Sequence, residues 1–535
     1  MPTNNSEPRK FKLPKKVLQE MKVSATETTT SNPTTADEFF DLGTQAEESG
    51  DRWLSSDLSK ALRFYQRAYA YYIQALQVDT SHLDTRYNAS RLLFTVYTEY
   101  IKNEGINLTD LHNCDEALAG NDNSVIQPLG NITRFFQTSI DLITTAGDRF
   151  PWDLYYNAAI CYFEYVEELT RNGYGTESQF GEAVSGMRAS EGLLSSVLEY
   201  QVKEVERLVG IGREGAEEER QNVQEEQEGH LPDDASPVGA MEDAVLPSSI
   251  QETCVNCYRL VSTLYEDCWS EERLSLVEGA SSEFLGRVDS ISSELLNSFT
   301  TPGNDLVPAL TSDEVYELEL SKLSLLASKC LEFSDCEAVW KSTPLEERAD
   351  KLLVEAGSYR TILDKSDEAE RVVSDDLKWK ILSIMDQKYK AAYRHLKEDL
   401  DKIKNGSVKD TGDDKSDLLS QICSVFIEQA DIDLERSMLK ESEASKYHDV
   451  LLKNCGNLLK NSLVYSKQTG GLRESVSGKL LRSKRRRETV IRMCILGGKV
   501  SSSELEREVG EGWVQEMEEL AEAGPYEQQA KSLLG

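Results

Sequence analysis

The chain has 535 residues, 39% hydrophobic and 29% charged, more than one compact core normally holds and enough apolar surface for a core that grows lengthwise. Against 59 Lys and Arg stand 94 Asp and Glu, a formal net charge of −35 with a pI near 4.6. Such a field disfavours nucleic acid and anionic membranes, so the expected partners are proteins, basic ones included, with no small-molecule substrate. The same charge would also simply keep a long helical protein soluble.

No apolar run of roughly 18 residues is present, as a spanning helix requires, and residues 1–20 lack the apolar stretch of a secretory signal. The protein is expected in the cytosol, the nucleus or both. The sequons at Asn88 and Asn131 are then chance matches, and the ten cysteines small buried hydrophobes in a reducing compartment.

Residues 1–35 carry Arg9, Lys10, Lys12, Lys15, Lys16 and Lys22 ahead of a Ser/Thr-rich run, which reads as a disordered basic arm and linker. Phe11, Leu13, Val17, Leu18 and Met21 could form a short amphipathic helix on a partner, or the arm is a plain tail.

From residue 36 the period becomes helical. Ala61, Tyr65, Ala68, Tyr72, Ala75 and Leu76 recur at three- and four-residue spacing, one face of a helix ending near Val78. The next helix opens Arg86-Tyr87-Asn88-Ala89-Ser90 and continues through Leu92, Leu93, Phe94 and Tyr97. The wording returns as Tyr155-Tyr156-Asn157-Ala158-Ala159, with Tyr156 lying 69 residues beyond Tyr87. Between them a helix pair is expected over residues 111–143, its second helix bearing Phe135, Phe136, Ile140 and Ile143, its first interrupted by Gly120-Asn121-Asp122-Asn123.

Ala68-x-x-x-Tyr72-x-x-Ala75-Leu76-x-x-Asp79 resembles the second helix and exit turn of a tetratricopeptide repeat (TPR), with Thr80 where that family's turn customarily has proline. The helix from Arg86 resembles the first helix of a following repeat, and two units of about 34 residues span the observed interval. The resemblance, clearest over residues 36–200, implies an all-α, TPR-like α-solenoid of antiparallel helix pairs over residues 36–209.

Residues 210–247 crowd Glu217, Glu218, Glu219, Glu225, Glu226, Glu228, Asp233 and Asp234 among Gly and Pro, an acidic low-complexity loop that either docks a basic ligand or is a solvated spacer. Over residues 248–469 amphipathic helices resume, broken at points such as Thr301-Pro302-Gly303 and Asn405-Gly406, and the solenoid is expected to continue without TPR wording. Residues 470–535 are expected to form a C-terminal helical cap. Its run Lys484, Arg485, Arg486 and Arg487 is a candidate nuclear-import signal, nucleic-acid contact or acidic-partner contact. Alternatively it is the exposed face of a helix, or it meets the acidic residues 217–234 internally.

Chemistry-bearing motifs are missing from the sequence. His82, His112, His230, His395 and His448 lie far apart in unlike contexts. Cys254 and Cys257 form a C-x-x-C pair without a second pair, in an apolar helical pattern that reads as core. Gly497-Gly498-Lys499 lacks the preceding glycine and strand of a phosphate cradle, and no G-x-S-x-G elbow occurs. No cofactor, metal ligand or catalytic residue is assigned, and the protein is expected to be non-enzymatic.

In TPR proteins the first helix of each repeat lines the concave wall, and an Asn following the aromatic often grips the ligand backbone. The resemblance therefore nominates Asn88 and Asn157, with Tyr87 and Tyr156, as groove contacts; capping or bridging neighbouring helices is the structural alternative. The clamp by which TPR co-chaperones hold a chaperone's C-terminal carboxylate is not expected, because Phe40 and Thr44 stand where Lys and Asn are required. The expected function is a scaffold or adaptor that holds a peptide or helix of a partner in its groove within a multiprotein complex. The alternative is an acidic escort chaperone for a highly basic client such as a ribosomal protein or histone.

Overall fold

The computed structural model describes residues 33–534 apart from 147–150, 172–176, 226–244, 300–306 and positions 411, 472, 500, 511 and 523. Among the described residues the chain is all-α, with no strand. All but the last three residues of the expected basic arm lie outside them.

Polar side chains set where the helices begin. Thr35 and Glu38 close a capping box at α1 (Ala36–Leu54), Asp57 accepts from Lys60 N at α2 (Leu58–Val78), and His82 accepts from Thr85 N at α3 (Leu83–Val96). Each satisfies a backbone donor that the first turn leaves unpaired.

α1 and α2 run antiparallel and very close together. Gly43 and Gly50, two turns apart on α1, face the rings of Tyr72 and Tyr65, two turns apart on α2; a Cβ at either glycine would overlap the ring. Both rings are 0% exposed. Their hydroxyls donate to Glu47 and Asp51, each at 2.9 Å.

α3 ends in a π turn, Tyr97–Ile101, and the chain then runs irregularly past a 3-10 turn at Leu108–Asp110 to α4 (Leu129–Ala146). The first helix expected within residues 111–143 therefore does not form. Asn113 and Gly120 take left-handed backbone (φ 56° and 66°), which a helix cannot propagate. The segment packs on α2 instead: Gln66 donates to Asn123 O and accepts from Val125 N, both at 2.8 Å.

There follow α5 (Trp152–Arg171), α6 (Glu177–Glu225), α7 (Pro247–Glu266), α8 (Glu271–Ser298), α9 (Ser312–Ser328) and α10 (Phe333–Ser342). The chain continues through α11 (Ala349–Glu368), α12 (Asp375–Lys404), α13 (Asp414–Met438), α14 (Ser442–Ser466) and α15 (Val476–Leu496). It ends with α16 (Ser502–Val509), α17 (Trp513–Glu522) and α18 (Glu527–Leu534). α6 runs to Glu225, well into the segment expected as an acidic loop, because residues 213–225 are mostly Glu, Arg, Gln and Ala, strong helix formers without proline. The rest of that segment, up to residue 244, is not described.

A simple rule orders the helices from α1 to α15: the odd-numbered ones lie side by side and parallel. Asp37 and Glu47 of α1 meet His82 and Arg91 of the α3 segment in that order. Asp313 and Ser328 of α9 meet Arg348 and Lys365 at the two ends of α11, and Ser416 and Asp431 of α13 meet Arg482 and Arg492 of α15. Even-numbered helices return antiparallel, as where Ser190 of α6 donates to Ala159 O of α5 at 2.9 Å.

Among the described residues apolar side chains form three successive cores, and α9 and α13 each bury side chains in two of them. α9 gives Leu318 and Leu325 to the first core but Tyr316, Leu320 and Leu323 to the second. α13 gives Ile422 and Phe426 to the second but Ala430 and Leu434 to the third. Burial of each large apolar side chain contributes about 1.5–3 kcal/mol, so both shared helices are strongly held from two sides.

α15 links the last core to the first. Its Ile491 and Cys494 belong to the third core, while Val476 and Leu480 pack on the first. Val476 N donates to Ser55 O at 3.0 Å, in the turn between α1 and α2.

Candidate functional site

Of the four residues expected to line a groove, Tyr87, Tyr156 and Asn157 are built into the joints between odd helices, and Asn88 bonds within α3. The Tyr87 hydroxyl on α3 donates to Asp153 at 2.8 Å and accepts from Asn157 at 3.1 Å, both on α5. One joint further on, the Tyr156 hydroxyl of α5 donates to Glu252 and accepts from Asn256, both at 2.8 Å on α7. Asn157 is 1% exposed, and Asn88, also buried, receives Arg91 Nη2 at 3.4 Å. Buried amides with partners inside the chain cannot offer those groups to a ligand without opening the fold. Tyr87, Tyr156 and Asn157 are thus rungs, of one design used twice: a Tyr on one odd helix, with an acid and an Asn four residues apart on the next. Asp153, Glu252 and Asn256 were missed; the acid-x-x-x-Asn spacing that α5 and α7 share was their signal.

The basic run lies on α15 and is largely consumed within the molecule. Lys484 meets Glu519 at 3.1 Å, Arg485 meets Glu488 at 2.8 Å and Glu104 at 2.7 Å, and Arg487 meets Glu516 at 2.9 Å. Lys484 is 8% exposed, whereas Arg486 faces solvent. An import receptor reads extended, accessible basic side chains, and only Arg486 of the four is openly presented here. The partners found among the described residues are these four glutamates; the side chains of the acidic residues 217–234 lie outside that description. Glu488, Glu516 and Glu519 also come close enough to share a cation, but the three basic side chains already neutralise them.

Accessible or half-buried carboxylates lie on the odd helices α7, α11 and α13, with α9 between the first two. Glu266 of α7 neighbours Glu167 of α5 and Lys365 of α11. Asp364 of α11 neighbours Glu435, which Arg360 grips with two bonds of 2.9 and 3.0 Å. Glu428 of α13 neighbours Asp431, Arg360 and Arg492. Asp364 and Glu428 are open to solvent and Glu266 is half-buried, yet desolvation by the surrounding protein raises all three carboxyls, Glu266 to about 7 and Asp364 to about 6. Water reaches them while protein flanks them on several sides.

The C-x-x-C pair is core: Cys254 and Cys257 are both fully buried, and burial pushes the Cys254 thiol up to about 12, which leaves it protonated and unreactive. No described helix is long and apolar enough to cross a membrane.

Residues 346–523 match the family model described as the YNL193W C-terminal domain. The chain is similar to "Uncharacterized protein YNL193W" of Saccharomyces cerevisiae, 23% identical over 502 residues, covering 84% of this chain and 87% of that protein. It is also similar to "UPF0656 protein C926.02" of Schizosaccharomyces pombe, 42% identical over 67 residues, 12% of this chain and 15% of that protein. The family match runs from just before α11 to beyond α17, so it takes in the carboxylates of α11 and α13 and the basic helix α15.

Proposed function

We propose that this chain is a non-enzymatic, TPR-like α-solenoid that acts as a scaffold or adaptor, holding a basic peptide or helix of a partner protein along its odd helices within a multiprotein complex of the cytosol or nucleus. The observation that carries the reading is the continuous parallel row of α1, α3, α5, α7, α9, α11, α13 and α15 with accessible carboxylates at Glu266, Asp364 and Glu428. Such a row offers one long surface along which an extended segment can lie, and neighbouring carboxylates with raised pKa values regain stability when a Lys or Arg pairs with them.

The test is affinity purification of the full chain with mass spectrometry, repeated with Glu266→Lys, Asp364→Lys and Glu428→Lys combined. The reading expects a small set of stoichiometric partners that the charge reversal releases. Equal recovery of every partner by the reversed chain would reject the acidic wall as the binding face.

The net charge of −35 favours a second reading, an escort chaperone for a highly basic client such as a ribosomal protein or histone. Escort by charge predicts client binding that weakens steeply between low and high salt. Binding that hardly changes would leave the scaffold reading alone.

A further inference from the structure

Nine of the ten cysteines are buried, and Cys330 is the exception. It follows the last turn of α9 and lines an open recess with Trp269, Lys329, Glu332 and Arg371. Cys336, in the first turn of α10, is 0% exposed and neighbours the Cys330 thiol, whose Sγ donates to Leu326 O at 3.7 Å. Beside them Lys365, 3% exposed, donates to Ser328 O at 2.6 Å and Cys330 O at 3.2 Å, which fixes a cation at the pair. One sulfur that solvent can reach thus sits on a second that it cannot, next to a buried ammonium.

We propose that Cys330 and Cys336 are a redox-responsive dithiol that hydroperoxides convert to an intramolecular disulfide. The Cys330 thiolate attacks one peroxide oxygen, the O–O bond breaks, and the departing hydroxide takes a proton to leave as water. The sulfenic acid formed at Cys330 is then attacked by the Cys336 sulfur; the S–O bond breaks and the hydroxyl departs as a second water with the Cys336 proton. Two thiols and one hydrogen peroxide give one disulfide and two waters, sulfur being oxidised and peroxide reduced. A dithiol reductant reverses the change by exchange.

The environment divides the two roles. Interaction with Cys336 holds the Cys330 thiol below its usual range, with Lys365 assisting and burial and Asp335 opposing, whereas Cys330 and burial together hold Cys336 well above its usual range. An accessible low-pKa thiol beside a protonated resolving thiol is the arrangement that peroxide sensing requires.

Trypsin releases both cysteines in one peptide, residues 330–341. The full chain is treated with hydrogen peroxide, quenched, alkylated with N-ethylmaleimide and mapped by mass spectrometry. The expected result is that this peptide loses two alkylation sites and two hydrogens and regains them with dithiothreitol. In Cys336→Ser, dimedone should instead trap a sulfenic acid at Cys330. Full alkylation of Cys330 at peroxide levels that oxidise glutathione would overturn the proposal, as would linkage of Cys330 to another cysteine. If Cys336→Ser does not fold, the native mapping decides by itself.

Discussion

Arg485 and Glu104 stand 381 positions apart in the chain, and their guanidinium and carboxylate meet at 2.7 Å. The contact joins α15 to the loop after α3. It is not what holds them, however. The Glu104 side chain is 51% exposed, and so open an ion pair contributes about 0–1 kcal/mol. Beside it Gly105 lies directly on α15, where a Cβ would come 2.5 Å from Leu481 N and 2.8 Å from Leu481 Cα. Backbone atoms cannot rotate aside as a side chain can. Glu104→Ala should therefore change little, whereas Gly105→Val should lift α15 from the loop and raise the radius of gyration in small-angle scattering. An unaltered scattering profile for Gly105→Val would refute the closure.

Gly43 and Gly50 invite the opposite of the usual substitution rule. Alanine is favoured over glycine inside a helix by roughly 1 kcal/mol, but overpacking a filled site costs about 1–3 kcal/mol. With Tyr72 and Tyr65 against the two glycines, overpacking should win. Gly43→Ala with Gly50→Ala should lower stability by up to about 4 kcal/mol in denaturant unfolding. A stabilised double variant would mean that the helices are not so close.

The two asparagines should report on stability. Replacement of Asn157, 1% exposed, removes the donor to Tyr87 and opens a small void, at a cost of about 1–3 kcal/mol. Asn88→Ala with Asn157→Ala should lower the melting temperature. A partner-binding defect at an unchanged melting temperature would return them to the groove.

Several carboxyls are protonated more readily in the folded chain than in the unfolded one. Burial raises Glu191 and Glu516, like Glu266, to about 7, and Asp417 and Asp433, like Asp364, to about 6. Unfolded carboxyls titrate near 4. Between those values the folded state binds more protons, so this group's contribution to stability is fully present below about pH 4 and is lost progressively as pH rises to about 7. Denaturation midpoints should accordingly be lower at pH 7.5 than at pH 5.5. Glu191 is buried with Oε1 unpartnered, so Glu191→Gln should stabilise the chain at pH 7.5 by on the order of 2 kcal/mol and flatten the profile. A midpoint that rises with pH and is indifferent to Glu191→Gln would contradict this account.

The helical face of α2 was legible because burial follows period: Ala61, Tyr65, Ala68, Tyr72, Ala75 and Leu76 are all buried. The repeated Tyr-Asn-Ala wording was legible as a pattern but ambiguous in meaning. An Asn on an inner helix can face a ligand or the next helix, and only the position of α5 against α3 decides. Gly43 and Gly50 carried a readable signal, a seven-residue spacing that matches Tyr65 and Tyr72. The return of α15 to Ser55 and Glu104 had none, since a contact across 381 residues leaves no local period. Likewise, charge alone could not tell that Arg485 and Arg487 are spent on Glu488 and Glu516.

The sharing of α9 between two cores bears on how the chain can be divided. The segment that matches the family model begins at residue 346, between α10 and α11, where evolutionary bookkeeping sets a border. The second core does not respect that border: Tyr316, Leu320, Leu323, Phe333 and Trp340 lie on one side of it and Tyr359, Met385 and Phe426 on the other. A fragment cut at 346 would leave half of an apolar interior open to water. A unit of descent and a unit of folding are here different lengths of the same chain, and pieces meant for separate study should begin no later than Thr311, the cap of α9.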